Sequence, residues 1–247
     1  MSLTDVVQVR GVSHRYGDVE ALHRLELDFR SGVTAVLGPN GAGKSTLLGL
    51  LSTALRIQRG SVSVGGVDSA RDRRRYRDLL GFLPQHFTMP GNLTVAEFLT
   101  LTAWQRMVPR RKRADAVDVA LAAVDLSSRR DQKISTLSGG MHRRVGIAQA
   151  VVNQPEVLLL DEPTVGLDPR QRRVLRHLIV SLGRQRAVVL STHLTEDVAA
   201  AADRVVVLDE GEMRFDGTVE EFTGGRGSVA ADIDTAYDAL VETGDDR

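Results

Sequence analysis

A glycine-rich run ending in lysine and serine is the stretch of this sequence whose residue types suggest chemistry most directly. It reads Gly38-Pro39-Asn40-Gly41-Ala42-Gly43-Lys44-Ser45-Thr46 and matches the pattern G-x-x-x-x-G-K-[ST]. Glycines allow successive backbone N–H groups to converge on one anion. Lys44 would neutralise the β- and γ-phosphates of a nucleoside triphosphate, and Ser45 would offer a hydroxyl to Mg²⁺. The run therefore predicts a triphosphate site.

The elements on either side of this run support that interpretation. An apolar segment, residues 33–37, precedes it and predicts a strand, while residues 46–51 are compatible with a helix. A helix that begins near Lys44 adds its positive dipole end and its unpaired amides to the anion site. The alternative is an ordinary glycine-rich turn with an exposed lysine, and the strand–turn–helix context argues against it.

Two carboxylates form a second candidate site. Asp161 and Glu162 follow four apolar residues, 157–160, which predict a strand buried on both faces of a parallel sheet. Ligands of open α/β sheets bind at the carboxyl ends of such strands. Asp161 is therefore expected to hold Mg²⁺, directly or through water. Glu162 is expected to orient or deprotonate the attacking water.

Three isolated residues are candidates for the same site. His193 follows an apolar strand, residues 187–191, and is either a structural donor or a sensor of the γ-phosphate. Gln85 ends a short predicted strand and could equally be a surface residue. Tyr16 lies in a predicted turn, residues 13–18, where its ring either packs or stacks on an adenine.

A second glycine-rich segment, Leu137-Ser138-Gly139-Gly140-Met141, predicts another anion-binding helix start. Ser138 is a natural N-cap, and an ordinary capped helix is the alternative. The segment lies near the end of residues 91–153, which have a helical pattern. That pattern includes a capping box from Thr94 to Glu97. These residues predict a helical lobe inserted into an α/β body made of residues 1–90 and 154–223.

Composition excludes several classes of function. The chain has 247 residues, 42% of them apolar, which is enough for a sizeable core. Basic and acidic residues balance at 32 each, so no nucleic-acid partner is expected. The absence of cysteine excludes disulfides and thiolate metal sites. The sequence begins without a basic and apolar leader pattern, so no signal peptide is expected. No apolar run reaches the ~20 residues of a membrane span, so any membrane role would require a partner.

Three charged segments have less specific interpretations. Arginines at 71, 73, 74, 75 and 77 predict a solvated helix face or a docking surface. The basic run 110–113 either flanks a helix or touches anionic lipid. Residues 224–247 form an acidic tail, which includes Asp245 and Asp246. Within this tail, one amphipathic helix is expected with an apolar side made of Ile233, Tyr237, Leu240 and Val241.

The order of the motifs resembles the complete motif series of the ABC ATPases, the nucleotide-binding subunits of ABC transporters. The resemblance covers about residues 3–223 and rests on the following residues: Tyr16, the loop 38–46, Gln85, Leu137-Ser138-Gly139-Gly140, Leu158-Leu159-Leu160-Asp161-Glu162, Gly166-Leu167-Asp168 and His193. It implies a P-loop α/β core with an antiparallel β subdomain and an inserted helical subdomain, residues 91–153.

The resemblance also implies how the residues act. Two subunits, in a homodimer or heterodimer, would hold two ATP molecules head to tail at the cytoplasmic face of a membrane. Ser138, Gly139 and Gly140 would contact the γ-phosphate bound by the other subunit. Asp168 would contact that subunit, and His193 would hold the γ-phosphate. Gln85 would follow Mg²⁺ and the water and report to separate transmembrane subunits.

Two residues depart from the commonest family pattern. Met141 stands where glutamine usually follows the second glycine, and Val165 stands where serine usually precedes Gly-Leu-Asp. The variant with methionine resembles bacterial exporter subunits. Two other functions remain open: a soluble ABC ATPase without a transport role, such as one for iron–sulfur cluster assembly, and a regulatory binder that does not hydrolyse ATP. The presence of Glu162 and His193 argues against the regulatory binder.

Overall fold

The computed structural model describes residues 6–242. Its strands are β1 (Val7–Tyr16), β2 (Val19–Phe29), β3 (Gly32–Leu37), β4 (Arg59–Val64), β5 (Val67–Asp68), β6 (Leu80–Leu83), β7 (Val157–Asp161), β8 (Ala187–Thr192), β9 (Arg204–Asp209) and β10 (Glu212–Thr218). Its helices are α1 (Lys44–Leu51), α2 (Arg73–Asp78), α3 (Val95–Gln105), α4 (Arg113–Ala123), α5 (Gly139–Val151), α6 (Pro169–Gly183), α7 (Thr195–Ala201), α8 (Val219–Thr223) and α9 (Ala230–Glu242). Residues 1–5, at the start for which no signal peptide is expected, and the acidic Asp245 and Asp246 lie outside the described residues.

A six-stranded sheet with the order β10-β9-β3-β8-β7-β6 forms the centre of the α/β body. Its strands run parallel except for β10, which pairs antiparallel with β9. Every residue of β7 and β8 is buried, as the continuous apolar runs predict. Parallel strands end at one edge of a sheet, so the loops after β3, β6, β7 and β8 meet there.

Alternating side chains of the central strands build the core on both faces of this sheet. Leu158 and Leu160 of β7 pack in the cluster that includes α5 and α6. Leu159 packs on the opposite face, in the cluster that includes α1 and the second sheet. This alternation follows from the two-residue period of a strand. The sheet is therefore held between helices on one side and α1 with the smaller sheet on the other.

The smaller sheet is antiparallel and has the order β2-β1-β4-β5. The prediction of a turn over residues 13–18 was wrong in its extent, because β1 continues to Tyr16, which pairs with Val19. Only Gly17 and Asp18 turn the chain. The strand continues through polar residues because Ser13 is buried, and its hydroxyl accepts a hydrogen bond from the Arg24 amide at 2.9 Å. Irregularities in the β1 register accompany this segment.

Between β6 and β7 the chain forms the helices α3, α4 and α5. Short 3-10 turns lie at Arg110–Lys112, Ser127–Arg129 and Ile134–Thr136. The predicted capping box is confirmed: the Glu97 amide donates to the Thr94 hydroxyl, and the Glu97 carboxylate accepts from the Thr94 amide. Leu99, Leu121 and Ile147 are fully buried in the core that these helices share with α6. Within residues 6–242, no helix is long and apolar enough to cross a membrane.

The last described helix, α9, forms where an amphipathic helix is expected. Ile233 is fully buried among residues of β3, β9 and α8, and Tyr237 and Leu240 pack against the same cluster. The side chain of Val241 lies outside the described part. Helix α9 therefore packs on the α/β body through one apolar face.

Candidate functional site

The loop between β3 and α1 wraps around a point at the carboxyl edge of the large sheet. Gly43 caps α1 with φ of 100°, in the left-handed region that favours glycine. A Cβ atom at Gly38 would lie 2.2 Å from the Leu208 carbonyl oxygen, so a side chain there would push the loop away from β9. Glycine is thus required at both ends of the loop, at Gly43 for its backbone angle and at Gly38 for the close approach to β9.

Lys44 is almost completely buried at the base of this loop, with 5% of its surface exposed. Its Nζ donates to the carbonyl oxygens of Gly38 at 2.7 Å and Pro39 at 2.9 Å. The same nitrogen lies 3.8 Å from a Glu162 carboxylate oxygen. Burial lowers the pKa of the Lys44 amine, and the charges of Glu162 and Asp161 partly oppose this shift. The lysine is therefore a positive charge with little of its surface exposed to water.

Hydroxyl groups connect Asp161 to the loop and to β8. Ser45 Oγ donates to Asp161 Oδ1 at 3.2 Å, and Ser191 Oγ donates to the same oxygen at 2.6 Å. The Ser191 hydroxyl also accepts from the Glu162 amide at 3.0 Å. Ser191 was not predicted as a site residue, although its signal was a polar residue at the end of a buried strand. It holds the Asp161 carboxylate and the main chain at Glu162 next to each other.

Glu162 and His193 form a pair across the ends of β7 and β8. His193 Nδ1 lies 3.0 and 3.1 Å from the two Glu162 carboxylate oxygens. Glu162 is 5% exposed and has a φ of 46°, which is uncommon outside glycine. Such backbone angles persist only where the surroundings hold them, and they cluster at functional sites. The carboxylate is thus held between an ammonium group and an imidazole.

One cleft of about 290 Å³ brings together half of the predicted site residues. It is lined by Tyr16, Ala21, Asn40, Gly41, Gly43, Lys44, Ser45, Thr46, Gln85 and Glu162. Tyr16 is half exposed, and its ring contacts that of His14 edge-on with centroids 4.7 Å apart. The structure therefore brings the Tyr16 ring, the phosphate loop, Gln85 and Glu162 to a single opening.

The second glycine-rich segment does not reach this cleft. Ser138, Gly140 and Asp168 line another cleft of about 410 Å³, between α5 and α6. Ser138 caps α5 by accepting from the Met141 amide at 3.4 Å, and Asp168 caps α6 by accepting from the Gln171 amide at 2.9 Å. Within one chain, Ser138, Gly140 and Asp168 thus lie apart from the cleft of Lys44, whereas Gly139 and Gln85 both line a third cleft of about 610 Å³.

A buried charge cluster behind the site had no signal in the sequence. Asp197 of α7 is fully buried and forms an ion pair with Arg176 Nη2 of α6 at 2.6 Å. Its other carboxylate oxygen accepts from the Thr164 hydroxyl at 2.5 Å and from the Thr192 hydroxyl at 3.0 Å. These threonines lie two residues after Glu162 and one residue before His193. The cluster therefore fixes both loops that carry the pair.

Comparison with known proteins agrees with this geometry. The family model described as "ABC transporter" matches residues 22–165. The chain is 38% identical over 229 residues to the daunorubicin resistance ATP-binding protein DrrA3 of Streptomyces coeruleorubidus, covering 92% of this chain and 72% of that protein. It is 39% identical over 210 residues to the methionine import ATP-binding protein MetN 2 of Burkholderia mallei. That alignment covers 82% of this chain and about half, 53%, of MetN 2.

The fold is also that of a solved structure. The protein titled "Structure of ATP binding subunit of ABC transporter" superposes with a TM-score of 0.81 at 26% sequence identity, over 96% of this chain and 99% of that one. The P-loop α/β core, the antiparallel β subdomain and the inserted helices are common to both. The chain therefore belongs to the ABC transporter family and is one of its ATP-binding, ATP-hydrolysing subunits.

Proposed function

We propose that the cleft lined by Lys44, Gln85 and Glu162 binds ATP with Mg²⁺ and hydrolyses its γ-phosphate. The observation that carries this proposal is the continuous set of contacts from Lys44 to Glu162 and from Glu162 to His193. These contacts join a phosphate-binding charge to a carboxylate that can act as a base. The half-exposed Tyr16 at the mouth of the cleft offers its ring to the adenine.

The phosphates would displace the contacts that Lys44 makes to its own loop. Its ammonium group now bonds to the Gly38 and Pro39 carbonyls, which are neutral acceptors. Phosphate oxygens are charged acceptors and form stronger hydrogen bonds. The loop amides of residues 38–46 and the start of α1 add further donors. Binding of the triphosphate therefore releases Lys44 from Glu162 as well.

The residues around Asp161 fit a magnesium ion. Among residues 6–242, no three His, Cys, Asp or Glu side chains form a cluster that could hold a metal by themselves. Mg²⁺ is usually bound by one or two carboxylates together with substrate phosphates and water. Ser45 Oγ and Asp161 Oδ1 are hard oxygen donors that already contact each other. We assign them, with Gln85, to this ion, which when bound neutralises charge on the β- and γ-phosphates.

Glu162 is the residue that we assign to the attacking water. Its carboxylate faces the same cleft as Lys44 and Gln85, so it can accept a proton from water next to a bound γ-phosphate. His193 contacts both carboxylate oxygens and orients them. We assign the free side of its ring to the γ-phosphate, and Gln85 to positioning the water and Mg²⁺.

The separation of the two clefts supports a composite site built by two subunits. One chain contains a phosphate loop without the second set of donors and, in the other cleft, Ser138 and Gly140 without a phosphate loop. In a head-to-tail dimer, Ser138, Gly139 and Gly140 of one copy contact the γ-phosphate held by the other. Asp168, exposed beside that segment, faces the seam. Hydrolysis is then coupled to closure of the dimer.

Separate transmembrane subunits are the partners that we propose for this dimer, and export is the direction. The relative DrrA3, which aligns over 72% of its length, is named for drug resistance, whereas relatives named for import align over 53% to 65% of theirs. The protein would then act at the cytoplasmic face of the membrane. A soluble ABC ATPase without a transport role is the alternative, and the co-purification described below distinguishes the two.

The composite site is tested with Glu162→Gln. This variant keeps the phosphate contacts but removes the base, so it should bind Mg-ATP, lose nearly all hydrolysis and elute as a dimer in gel filtration. Wild-type protein should remain monomeric with ADP, and EDTA should abolish the dimer of the variant. Lys112→Met, at an exposed lysine, is the control for a general effect of substitution. A variant that stays monomeric with Mg-ATP would contradict the composite site.

A further inference from the structure

Arg143 of α5 connects three segments of the site that are distant in the sequence. Its Nη1 donates to the Gln85 carbonyl oxygen at 3.0 Å. Its Nη2 lies 3.5 Å from the Val165 carbonyl oxygen, in hydrogen-bond geometry. Its guanidinium carbon lies 5.5 Å from the centre of the Phe87 ring. One half-buried side chain of the helix after Ser138 therefore contacts both the loop after β6 and the loop after β7.

The partners of Arg143 are neutral, which is unusual for a half-buried charge. Burial lowers the pKa of its guanidinium, and no described carboxylate contributes to the shift. Two carbonyl oxygens and an aromatic face therefore provide the compensation for lost hydration. A planar guanidinium can reach two carbonyls at fixed angles, whereas an ammonium group cannot do so with the same geometry.

Close packing one helical turn further along α5 supports the same connection. A Cβ atom added at Gly146 would lie 2.7 Å from both Leu83 Cδ1 and Phe87 Cζ. Residues three apart share one face of a helix, so Arg143 and Gly146 face the same segment. The end of β6 and the Gln85 loop are thus pressed against α5 at Gly146 and bonded to it at Arg143.

We propose that Arg143 is a positioning residue that fixes the Gln85 loop and the loop after Glu162 against the helix that begins at Ser138. The proposal rests on the function proposed for Gln85 and Glu162, because it assigns to Arg143 the task of aligning them. Through Arg143, a shift of α5 when a partner's nucleotide contacts Ser138 is transmitted to the main chain at Gln85 and Val165.

Steady-state ATPase kinetics of Arg143→Met and Arg143→Lys test this role. Arg143 does not contact the phosphate loop, so the KM for ATP should change by less than about twofold. The methionine variant should lose about tenfold or more in kcat, because misplaced catalytic groups are costly. Lysine keeps the charge and one hydrogen bond and should restore part of kcat. Arg113→Gln removes a hydrogen bond to the Val108 carbonyl inside the helical segment and should keep wild-type kcat.

Amide hydrogen exchange of the nucleotide-free chain separates positioning from a general loss of structure. In Arg143→Met, exchange should become faster in residues 84–88 and 163–167 and stay unchanged in α3 and α4. Unchanged exchange in both loops, or an increase spread over α3 and α4, would overturn the proposal. An unchanged kcat would do the same.

The two measurements also keep this inference apart from the proposed function. If the Glu162→Gln variant hydrolysed ATP as fast as the wild type, the role assigned to Glu162 would be wrong. The exchange result would still decide whether Arg143 holds the two loops. If Glu162→Gln were inactive and Arg143→Met had normal kcat and normal exchange, only the role of Arg143 would be wrong.

Discussion

The side chain of Lys44 shows how one residue can be arranged for binding at the expense of stability. It is nearly buried, its pKa is lowered by that burial, and its present partners are two main-chain carbonyls and a carboxylate 3.8 Å away. Charges removed from water recover little net free energy from such contacts. The position is therefore more favourable for a lysine with a bound polyphosphate than for one without it.

Replacing Lys44 with methionine should separate binding from folding. We expect ATP affinity to fall by about a hundredfold, because a charge-assisted contact to phosphate is lost. The melting temperature of the nucleotide-free protein should stay equal or rise, since a buried charge is replaced by an apolar chain of similar length. Isothermal titration with ATP and thermal unfolding measure the two effects. Lys112→Met should change neither, and tight ATP binding by Lys44→Met would contradict the assigned role.

Among the secondary-structure elements, α6 and α7 hold the active loops through the buried charge cluster. Asp197 accepts from Thr164 after β7 and from Thr192 at the end of β8, while Arg176 holds it from α6. Arg176 also pairs with Glu196, whose side chain is 59% exposed, at 3.2 Å. The same arginine thus forms one buried and one exposed ion pair with adjacent residues of α7.

This arrangement allows a matched comparison of Asp197→Asn with Glu196→Gln. Removing one charge of a buried pair leaves the other uncompensated, so Asp197→Asn should lower the free energy of unfolding by about 3 kcal/mol. Glu196→Gln removes a solvent-exposed partner and should cost less than about 1 kcal/mol. Denaturant unfolding of both variants measures the difference. Equal losses in the free energy of unfolding would contradict the conclusion that the buried pair stabilises the fold more than the exposed pair does.

For the whole molecule, the proposed function gives one chain two incomplete sites on different clefts. The cleft with Lys44 and the cleft with Ser138 lie on different parts of the surface. A second copy is needed to bring one of each together, and a membrane partner is needed to turn closure of that dimer into transport. Both requirements follow from the proposed function: gel filtration of Glu162→Gln tests the second copy, and purification from native membranes tests the membrane partner.

Affinity purification of the tagged chain from detergent-solubilised native membranes should recover an integral membrane protein. Recovery should survive washing at high salt if the partner is docked through apolar as well as charged contacts. The tagged chain carrying Lys44→Met is the control and should recover the same membrane protein, because the proposed docking does not require bound nucleotide. Recovery of soluble partners alone would favour the ABC ATPase without a transport role.

Local sequence determined much of the site because its motifs are short and their chemistry depends on neighbouring residues. The glycines and Lys44 of the phosphate loop, the carboxylates after an apolar strand and the capping box of α3 were all predictable, since backbone freedom, strand burial and capping act over a few residues. The order of these motifs along the chain carried the family resemblance. That resemblance then associated Gln85 and His193 with the same site.

Tertiary structure alone decided which distant residues meet. Ser191 bridges Asp161 and Glu162, Asp197 joins the loops after β7 and at the end of β8, and Arg143 reaches Gln85 and Val165 across long stretches of sequence. None of these partners can be predicted from the local sequence, because a side chain's partner depends on how strands are ordered and how helices pack on them. The same packing extended β1 to Tyr16, where local composition indicated a turn.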